Sequence, residues 1–481
     1  MAIPSPAPVD TGVLYAPRKQ VYTKDVYGPV RSAKSAILTA CLIIYYVVPW
    51  FRWNRGTGVP NQAVLLDIGN ERFYFFNVVL WPQDIYLLAG ALILAAFSLF
   101  FVTSMFGRVW CGYTCPQTVW TDLFMTVERW IEGDRNTRMK RDAAPWTTRT
   151  WQLKLAKHAA WLGIAFWTGG AWIMYYADAP TTVVQFWTGT AAMPVYFFTG
   201  LFTLTTYLLA GHAREQVCTY MCPWPRFQAA MLDEQSLIVT YQAWRGEPRM
   251  SGRRELIDFG KPVGDCIDCA ACVNVCPTGI DIRNGTQLEC INCGLCIDAC
   301  NHVMEKTGSK PYLITWDTLA RQKAKSEGRR TKLKLIRTRT SVYAAAVALV
   351  SVGLVVALFT RSTATLSVIH DRAPLFITLK DGTLRNGYTV KIANKTQIAA
   401  NYTLHVEGLP GAVVSLPETG VTGSGDLPLT IGASAVGAFR VLVQGSGASL
   451  HDGRLPLSFT LHQPSGDNIV YDQLFMGPET E

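Results

Sequence analysis

All 13 cysteines of this 481-residue chain lie at or before position 300. Their absence from the last part excludes a disulfide-stapled domain there. Charge is scarce too: 16% of residues are charged and 49% hydrophobic, a balance unlike that of a soluble globular protein. The opening MAIPSPAPVD is polar and the first apolar run begins late, so no cleavable signal peptide is expected and the first span stays in place. Acidic residues are nearly missing from 321–339, RQKAKSEGRRTKLKLIRTR, where nine basic residues face Glu327 alone. That run abuts an apolar segment, so it reads as a topology signal meeting anionic lipid headgroups, and no nucleic-acid partner is expected.

What is abundant is long apolar sequence. A bilayer takes about 20 apolar residues, and five segments qualify as spans: 36–51, 85–106, 159–177, 188–211 and 340–360. Lys and Arg crowd the stretch before the first span, the stretch between the second and third, and 321–339, whereas the alternate loops have few. By the positive-inside rule the N-terminus is cytoplasmic and the C-terminal domain lies outside. Twelve cysteines fall in the two internal regions, as expected of thiols kept reduced. The other, Cys41, lies in the first span and reads as a small packing residue. The expected fold is a multi-domain membrane protein: a five-span α-helical bundle, a dicluster ferredoxin-like insert and a C-terminal all-β immunoglobulin-like sandwich. Its parts are a segment 1–35, a four-span region 36–212, a cytoplasmic region 213–339 with the insert at about 260–305, a fifth span 340–360 and the sandwich 361–481.

The insert carries CIDCAACVNVCP at 266–277 and CINCGLCIDAC at 290–300. This is the bacterial two-cluster ferredoxin spacing, in which three close cysteines hold one [4Fe–4S] cluster and the fourth ligates the other. Cys266, Cys269, Cys272 and Cys300 then hold the first cluster, and Cys276, Cys290, Cys293 and Cys296 the second. The fourth cysteine of each run is expected to start a short helix. Zinc prefers two C-x2-C pairs, and two complete ferredoxin runs set it aside. Asn301 stands where the second run would normally have proline. Two such clusters carry single electrons, so the insert reads as a wire.

Two further pairs, Cys111/Cys115 in RVWCGYTCPQ and Cys218/Cys222 in EQVCTYMCPW, share the spacing C-x-x-x-C-P. Each follows an apolar segment and precedes an amphipathic stretch, which marks an internal duplication. On a helix, a spacing of four would put both thiols of a pair on one face, and Pro116 and Pro223 suit the start of a following helix. Soft thiolates select Cu(I), zinc or iron–sulfur clusters. Met221 and His212 are further candidate ligands, although packing for Met221 and an interfacial position for His212 are the commoner roles. Structural thiols at an interface are the competing reading of the four cysteines.

After the fifth span, YTVKIAN (388–394), YTLHVEG (402–408), AFRVLVQ (438–444) and LPLSFTLHQ (455–463) alternate apolar and polar residues between turn residues, as strands of a sandwich do. Its scattered histidines, His370, His405, His451 and His462, read as surface residues, and partner binding is its default role.

Span order, duplicated C-x-x-x-C-P, dicluster insert and external β-domain together resemble the CcoG/FixG/RdxA family along essentially the whole chain. The resemblance implies an accessory protein for assembly of the cbb3-type cytochrome c oxidase that reduces Cu(II) to Cu(I) on the cytoplasmic side. It puts copper reduction on Cys111, Cys115, Cys218 and Cys222, with copper as substrate or transient ligand, and cluster ligation on the eight insert cysteines. The implied partners are copper ion, a cytoplasmic electron donor, oxidase assembly factors, the copper-transporting ATPase pathway and membrane lipid; a homodimer is compatible with so small a bundle. A quinol–ferredoxin electron transferase similar to the NapH-type proteins, or a non-enzymatic assembly scaffold, are the alternatives.

Overall fold

The structure is a computed structural model that describes residues 20–56, 59–249, 263–423, 426–464 and 466–478; the start of the 260–305 insert and most of the 1–35 segment lie outside them. The chain divides into two compact units. The first comprises residues 1–49, 90–175 and 180–352, and the second 50–89, 176–179 and 353–481.

Helix α1 (Pro29–Val47) opens with proline at its first turn, and α2 spans Ile85–Phe106. A short α3 (Val109–Tyr113) follows, then α4 (Pro116–Glu132) and α5 (Arg135–Ala143). Helix α6 (Thr148–Ile173) is capped by the Thr147 hydroxyl, which accepts from the Thr150 N–H, and packs along α8 (Met193–Thr206); α7 (Ala179–Thr188) lies between them. The end of α8 widens into π-helical turns at Tyr207–Ala213 and again at Val217–Met221, and α9 covers Trp224–Met231. The last long helix is Thr338–Phe359.

Among the described residues, four helical segments are long and apolar enough to cross a membrane: Pro29–Trp50, Pro82–Phe106, Met193–Ala213 and Thr338–Phe359. Ile44, Leu92, Leu204 and Leu349 are exposed on them, as side chains that meet lipid must be. The third expected span, 159–177, is the C-terminal part of α6, where Trp161, Trp167, Trp172 and three glycines dilute the aliphatic content, followed by a turn. The fourth begins at Met193 rather than 188, because residues 179–188 form α7 instead of a loop.

In the second unit, β1 (Val64–Asp67), β2 (Arg72–Phe75) and β3 (Val78–Leu80) make a small antiparallel sheet between the first two spans, which the sequence reading missed. It shares a core with Ala393, and buried Asp84 pairs with Lys395 at 2.9 Å. The C-terminal part is a sandwich of two antiparallel sheets. One has the order Val421–Gly423, Val413–Leu416, Val436–Gly445, Leu384–Asn394, Ala364–His370, and the other Leu427–Ile431, Ala400–Glu407, Arg454–His462, Asn468–Met476. All four strands read from alternation are present; three match their expected ends within two residues, and the first begins four residues earlier, at Leu384. Inward positions alternate along each strand: Tyr388, Val390 and Ile392 from one sheet meet Leu404, Phe459 and Leu461 from the other. Emptying the Phe459 site by Phe459→Ala should cost the sandwich about 3–5 kcal/mol. Hydrogen exchange on the full chain checks this: protection should fall across the sandwich amides while the iron content stays unchanged.

Candidate functional site

The site is built where the chain turns back at the ends of α2 and α8. Proline disfavours helical φ/ψ in the residue before it. Accordingly Cys115 is extended (φ −59°, ψ 128°) and caps α4, while Cys222 is extended (φ −82°, ψ 122°) before Pro223. Each pair therefore has one thiol in a helical turn, Cys111 in α3 and Cys218 in the π-turn, and one in the extended residue that ends it. The expectation that both thiols share one helical face is corrected by the prolines behind them. Pro116 does begin α4, whereas α9 begins one residue after Pro223.

The fold brings the two pairs together. Cys111 is within electrostatic reach of Cys115, Cys218 and Cys222, and Cys218 of Cys115 and Cys222. Burial pushes the Cys111 thiol up to about 12, with Cys115 and Cys218 adding to it, and burial likewise raises Cys218 to about 12. Burial also raises Cys115, but the N–H groups of Thr118 and Gln117 donate to its sulfur and oppose the rise. The Cys111 thiol donates to Oε1 of wholly buried Gln228 at 3.0 Å. Met221 is largely exposed on the second motif. His212 stacks on His158, with ring centroids 5.8 Å apart, beside Trp161 and Tyr207. Cys41 sits half-buried on α1.

The insert turns twice in the same way. Asp268 and Ala270 in the first run, and Asn292 and Gly294 in the second, have left-handed φ of 57°, 54°, 53° and 73° at equivalent places after the first and second cysteines. Short helices then start at Ala271 and Leu295, so Cys272 and Cys296 lie in first turns. The expectation that the fourth cysteine starts a helix is corrected by these left-handed turns. Cys300 lies inside the helix Leu295–Lys306, which runs on because position 301 is not proline. The Asn301 side chain instead accepts from the Tyr312 N–H at 2.7 Å.

The eight cysteines group as two sets. Cys300 is in reach of Cys269 and Cys266, and Cys272 of Cys300 and Cys269. Cys296 is in reach of Cys293, Cys290 and Cys276, and then of Cys272, where the two sets come nearest each other. A small cavity is lined by Cys276, Cys290, Cys293 and Cys296, together with Cys272 and the apolar Val239, Ile280 and Ile282. A pocket lined by these thiols, apolar side chains and Thr278 fits a [4Fe–4S] cluster, which would store and pass one electron there. Burial raises Cys290 to about 12 and Cys272 to about 12, so these thiols favour the protonated form until a metal replaces the proton. Cys269 is the exposed one of the eight.

The two thiol regions are bolted together. A Cβ on Gly112 would lie 2.6 Å from the Ile291 carbonyl oxygen and 3.1 Å from the Cys293 backbone, so only glycine lets the α3 turn approach. The Tyr113 hydroxyl donates to the Cys293 carbonyl at 3.0 Å. Buried Arg108 donates to the carbonyls of Leu288 and, at 2.8 Å, Pro225. Cys111 and Cys293 share one hydrophobic cluster. The Asp298 carboxylate accepts the Arg31 N–H at 2.7 Å, which ties the insert to the start of α1.

Many basic residues that read as topology signals are partners of a buried acidic face on α4. Arg31 holds Asp122 with two bonds of 2.9 Å. Glu128 meets Arg138 at 2.6 Å, Arg214 at 3.0 Å and Lys157 at 3.4 Å; Glu132 meets Lys157 at 3.1 Å and Lys154 at 3.2 Å. No local pattern in the sequence signals these pairings.

Comparison with known proteins agrees with this arrangement. Residues 213–319 match the 4Fe-4S dicluster domain family, 88–136 a 4Fe-4S binding domain, and 354–478 the Ig-like fold at the C-terminus of FixG. The chain is 45% identical over 429 residues to the nitrogen fixation protein FixG of Rhizobium meliloti (strain 1021), covering 84% of this chain and 82% of the relative. It is 47% identical over 424 residues to protein RdxB of Cereibacter sphaeroides (85% and 88% covered), and 45% over 431 residues to RdxA of the same organism (89% and 90%). A solved FixG-related protein from Vibrio parahaemolyticus, 26% identical, aligns over 24% of this chain and 98% of its own with a TM-score of 0.21. Two thiol-rich regions packed into one unit, an Ig-like sandwich and apolar helices are thus joined by identity over most of the length: the chain is a membrane iron–sulfur electron-transfer protein and belongs to the FixG/RdxA family.

Proposed function

We propose that the protein is a cupric reductase of the bacterial inner membrane. It takes single electrons from a cytoplasmic donor into the insert, passes them to the edge formed by Cys111, Cys115, Cys218 and Cys222, and there reduces Cu(II) to Cu(I). Each copper takes one electron and no proton. Cys266, Cys269, Cys272 and Cys300 hold one cluster, and Cys276, Cys290, Cys293 and Cys296 the other. The cuprous ion serves the assembly factors and copper-transporting ATPase that fill a cbb3-type oxidase. The N-terminus, insert and four thiols face the cytoplasm, and the sandwich faces the periplasm, where it docks partners.

One observation carries this reading: the turn that holds Cys111 lies against the loop that holds Cys290 and Cys293, through the Gly112 approach. Thiolate surroundings favour Cu(I) over Cu(II), and each ~59 mV of favourable potential difference is a tenfold gain in equilibrium for one electron. The test is anaerobic. The protein is reduced, freed of excess reductant and mixed with one equivalent of Cu(II), and cluster absorbance is followed beside a Cu(I)-specific chelator. Wild type should yield Cu(I) as the clusters reoxidise. The variant with all four membrane-edge cysteines changed to alanine should keep both insert clusters and lose most of that rate; equal rates in the two proteins would sink the reading.

A second reading, a quinol as the electron source, has one observation in its favour. A cavity of about 380 Å³ is lined by Arg108, Asp233, Glu234 and Asn292, and shares Cys290, Val239 and Ile282 with the thiol-lined cavity. Cluster reduction by a soluble quinol under anaerobic conditions would support it, and its absence would leave a cytoplasmic donor.

A further inference from the structure

We infer that Cys111, Cys115, Cys218 and Cys222 together hold an iron–sulfur cluster of their own, a third centre beside the two of the insert. The inference goes beyond copper reduction and stands or falls separately from it.

The first ground is a shortage of ligands. The stretch 88–136 matches a 4Fe-4S binding domain, yet it contains only two cysteines, Cys111 and Cys115. A cubane needs about four thiolates, so two must come from elsewhere in the chain. The thiols that the fold brings within reach are Cys218 and Cys222 of the duplicated half. The eight insert cysteines form the two sets already described, which leaves these four as a complete third set.

The second ground is placement. Gln117, two residues after Cys115, donates to the carbonyls of Leu209 at 2.9 Å and Arg214 at 3.2 Å. Arg108 donates to the Pro225 carbonyl and the Cys111 thiol to Gln228. The first pair is thus pinned to the chain on both sides of Cys218 and Cys222.

The surroundings fit cluster sulfur. The backbone N–H groups of Gln117 and Thr118 donate to the Cys115 sulfur, and such bonds are one means by which a protein tunes cluster potential. Gln228, wholly buried, faces Cys111 with a side-chain amide, which offers its oxygen to a thiol or, turned over, its nitrogen to a thiolate. Each pair supplies its two thiols from a helical turn and the extended residue after it, so four donors arrive from two directions. The centre would take one electron from the neighbouring insert set and give one up, with no bond made and no proton required. Copper would then meet the edge of the last cluster instead of four bare thiolates.

Iron content tests this without reference to activity. The full chain, purified and reconstituted anaerobically with excess iron and sulfide, should hold about twelve iron atoms and about twelve labile sulfides per chain, against about eight for two clusters. Changing Cys111, Cys115, Cys218 and Cys222 to alanine should remove about a third of the iron. The spin-integrated signals of the two insert clusters should persist and show that the variant folds. A wild-type count that stays at about eight with both insert signals at full intensity overturns the inference. So does a count of about eight with one equivalent of tightly held copper that the variant loses, which would make the quartet an ordinary copper site. The wild-type count decides even if the variant does not fold.

Discussion

Gly112→Val should slow electron transfer from the insert to the membrane-edge thiols at least tenfold while the two insert clusters keep their iron. The position leaves no room for a side chain. A Cβ there meets the Ile291 carbonyl oxygen at 2.6 Å and the Cys293 Cα and N at 3.1 Å, all backbone atoms of a loop tied on both sides by ligand cysteines. Backbone so held cannot swing aside as the end of a flexible side chain would. The α3 turn must then lift, and Cys111 and the Tyr113 hydroxyl bond to the Cys293 carbonyl move with it. Electron transfer falls steeply with distance, so even a small lift separates the two thiol regions. Stopped-flow reoxidation of the reduced protein by Cu(II) measures the effect. Gly163→Val on α6, where a new Cβ meets nothing within 4 Å, is the matched control and should leave the rate alone. Equal rates in the two variants would mean that electrons reach copper by another route.

What the sequence made legible was whatever is encoded locally. The ferredoxin spacing lies within a dozen residues, so both cysteine runs stood out in the sequence. Sandwich strands were visible because burial alternates every second residue along them. The extended conformations of Cys115 and Cys222 were encoded as well, in Pro116 and Pro223, but spacing alone suggested a helix. The small sheet at 64–80 carries a turn signal, Gly69-Asn70, between short apolar runs that are easily passed over beside long spans. What could not be read was any contact set by distant partners. Arg31 and Asp122 are 91 residues apart, and Asp298 lies 267 residues from Arg31. Several basic residues counted toward topology are buried partners of distant acids, and composition cannot distinguish the two roles. Gly107 and Gly112 are likewise silent in the sequence: their need for an absent side chain comes from Asn292, Ile291 and Cys293, brought in from the insert.

The ion pairs on α4 yield an expected loss of stability as large as that of emptying the sandwich core. Glu128 is 3% exposed, and three cations converge on it. Glu128→Ala leaves Arg138, Lys157 and Arg214 facing one another with a carboxylate removed. Breaking a buried pair in this way costs about 3–5 kcal/mol, mostly as the penalty of uncompensated buried charge. Removing Glu327, whose partner Arg329 lies with it at the exposed surface, should cost almost nothing. The loss should also reach the thiols. Arg214 sits at a left-handed φ of 43° at the junction that leads into Cys218, and it is held by Glu128 and by Gln117, which donates to its carbonyl at 3.2 Å. Glu128→Gln keeps the shape and removes only the charge, so comparison with wild type isolates the electrostatic part. Burial would raise the Glu128 carboxyl, but Arg214, Arg138 and Lys157 outweigh it and hold it below the usual carboxylate range. A carboxyl held lower in the folded protein than in the unfolded chain stabilises at all pH above the unfolded value and loses that contribution as pH falls through the folded one. The wild-type advantage over Glu128→Gln should therefore be full at neutral pH and shrink only in acid, below the ordinary titration of a carboxylate. Thermal unfolding of the full chain in detergent, at neutral and acid pH, measures both. A gap that stays constant into acid would mean that the residue acts through its shape rather than its charge.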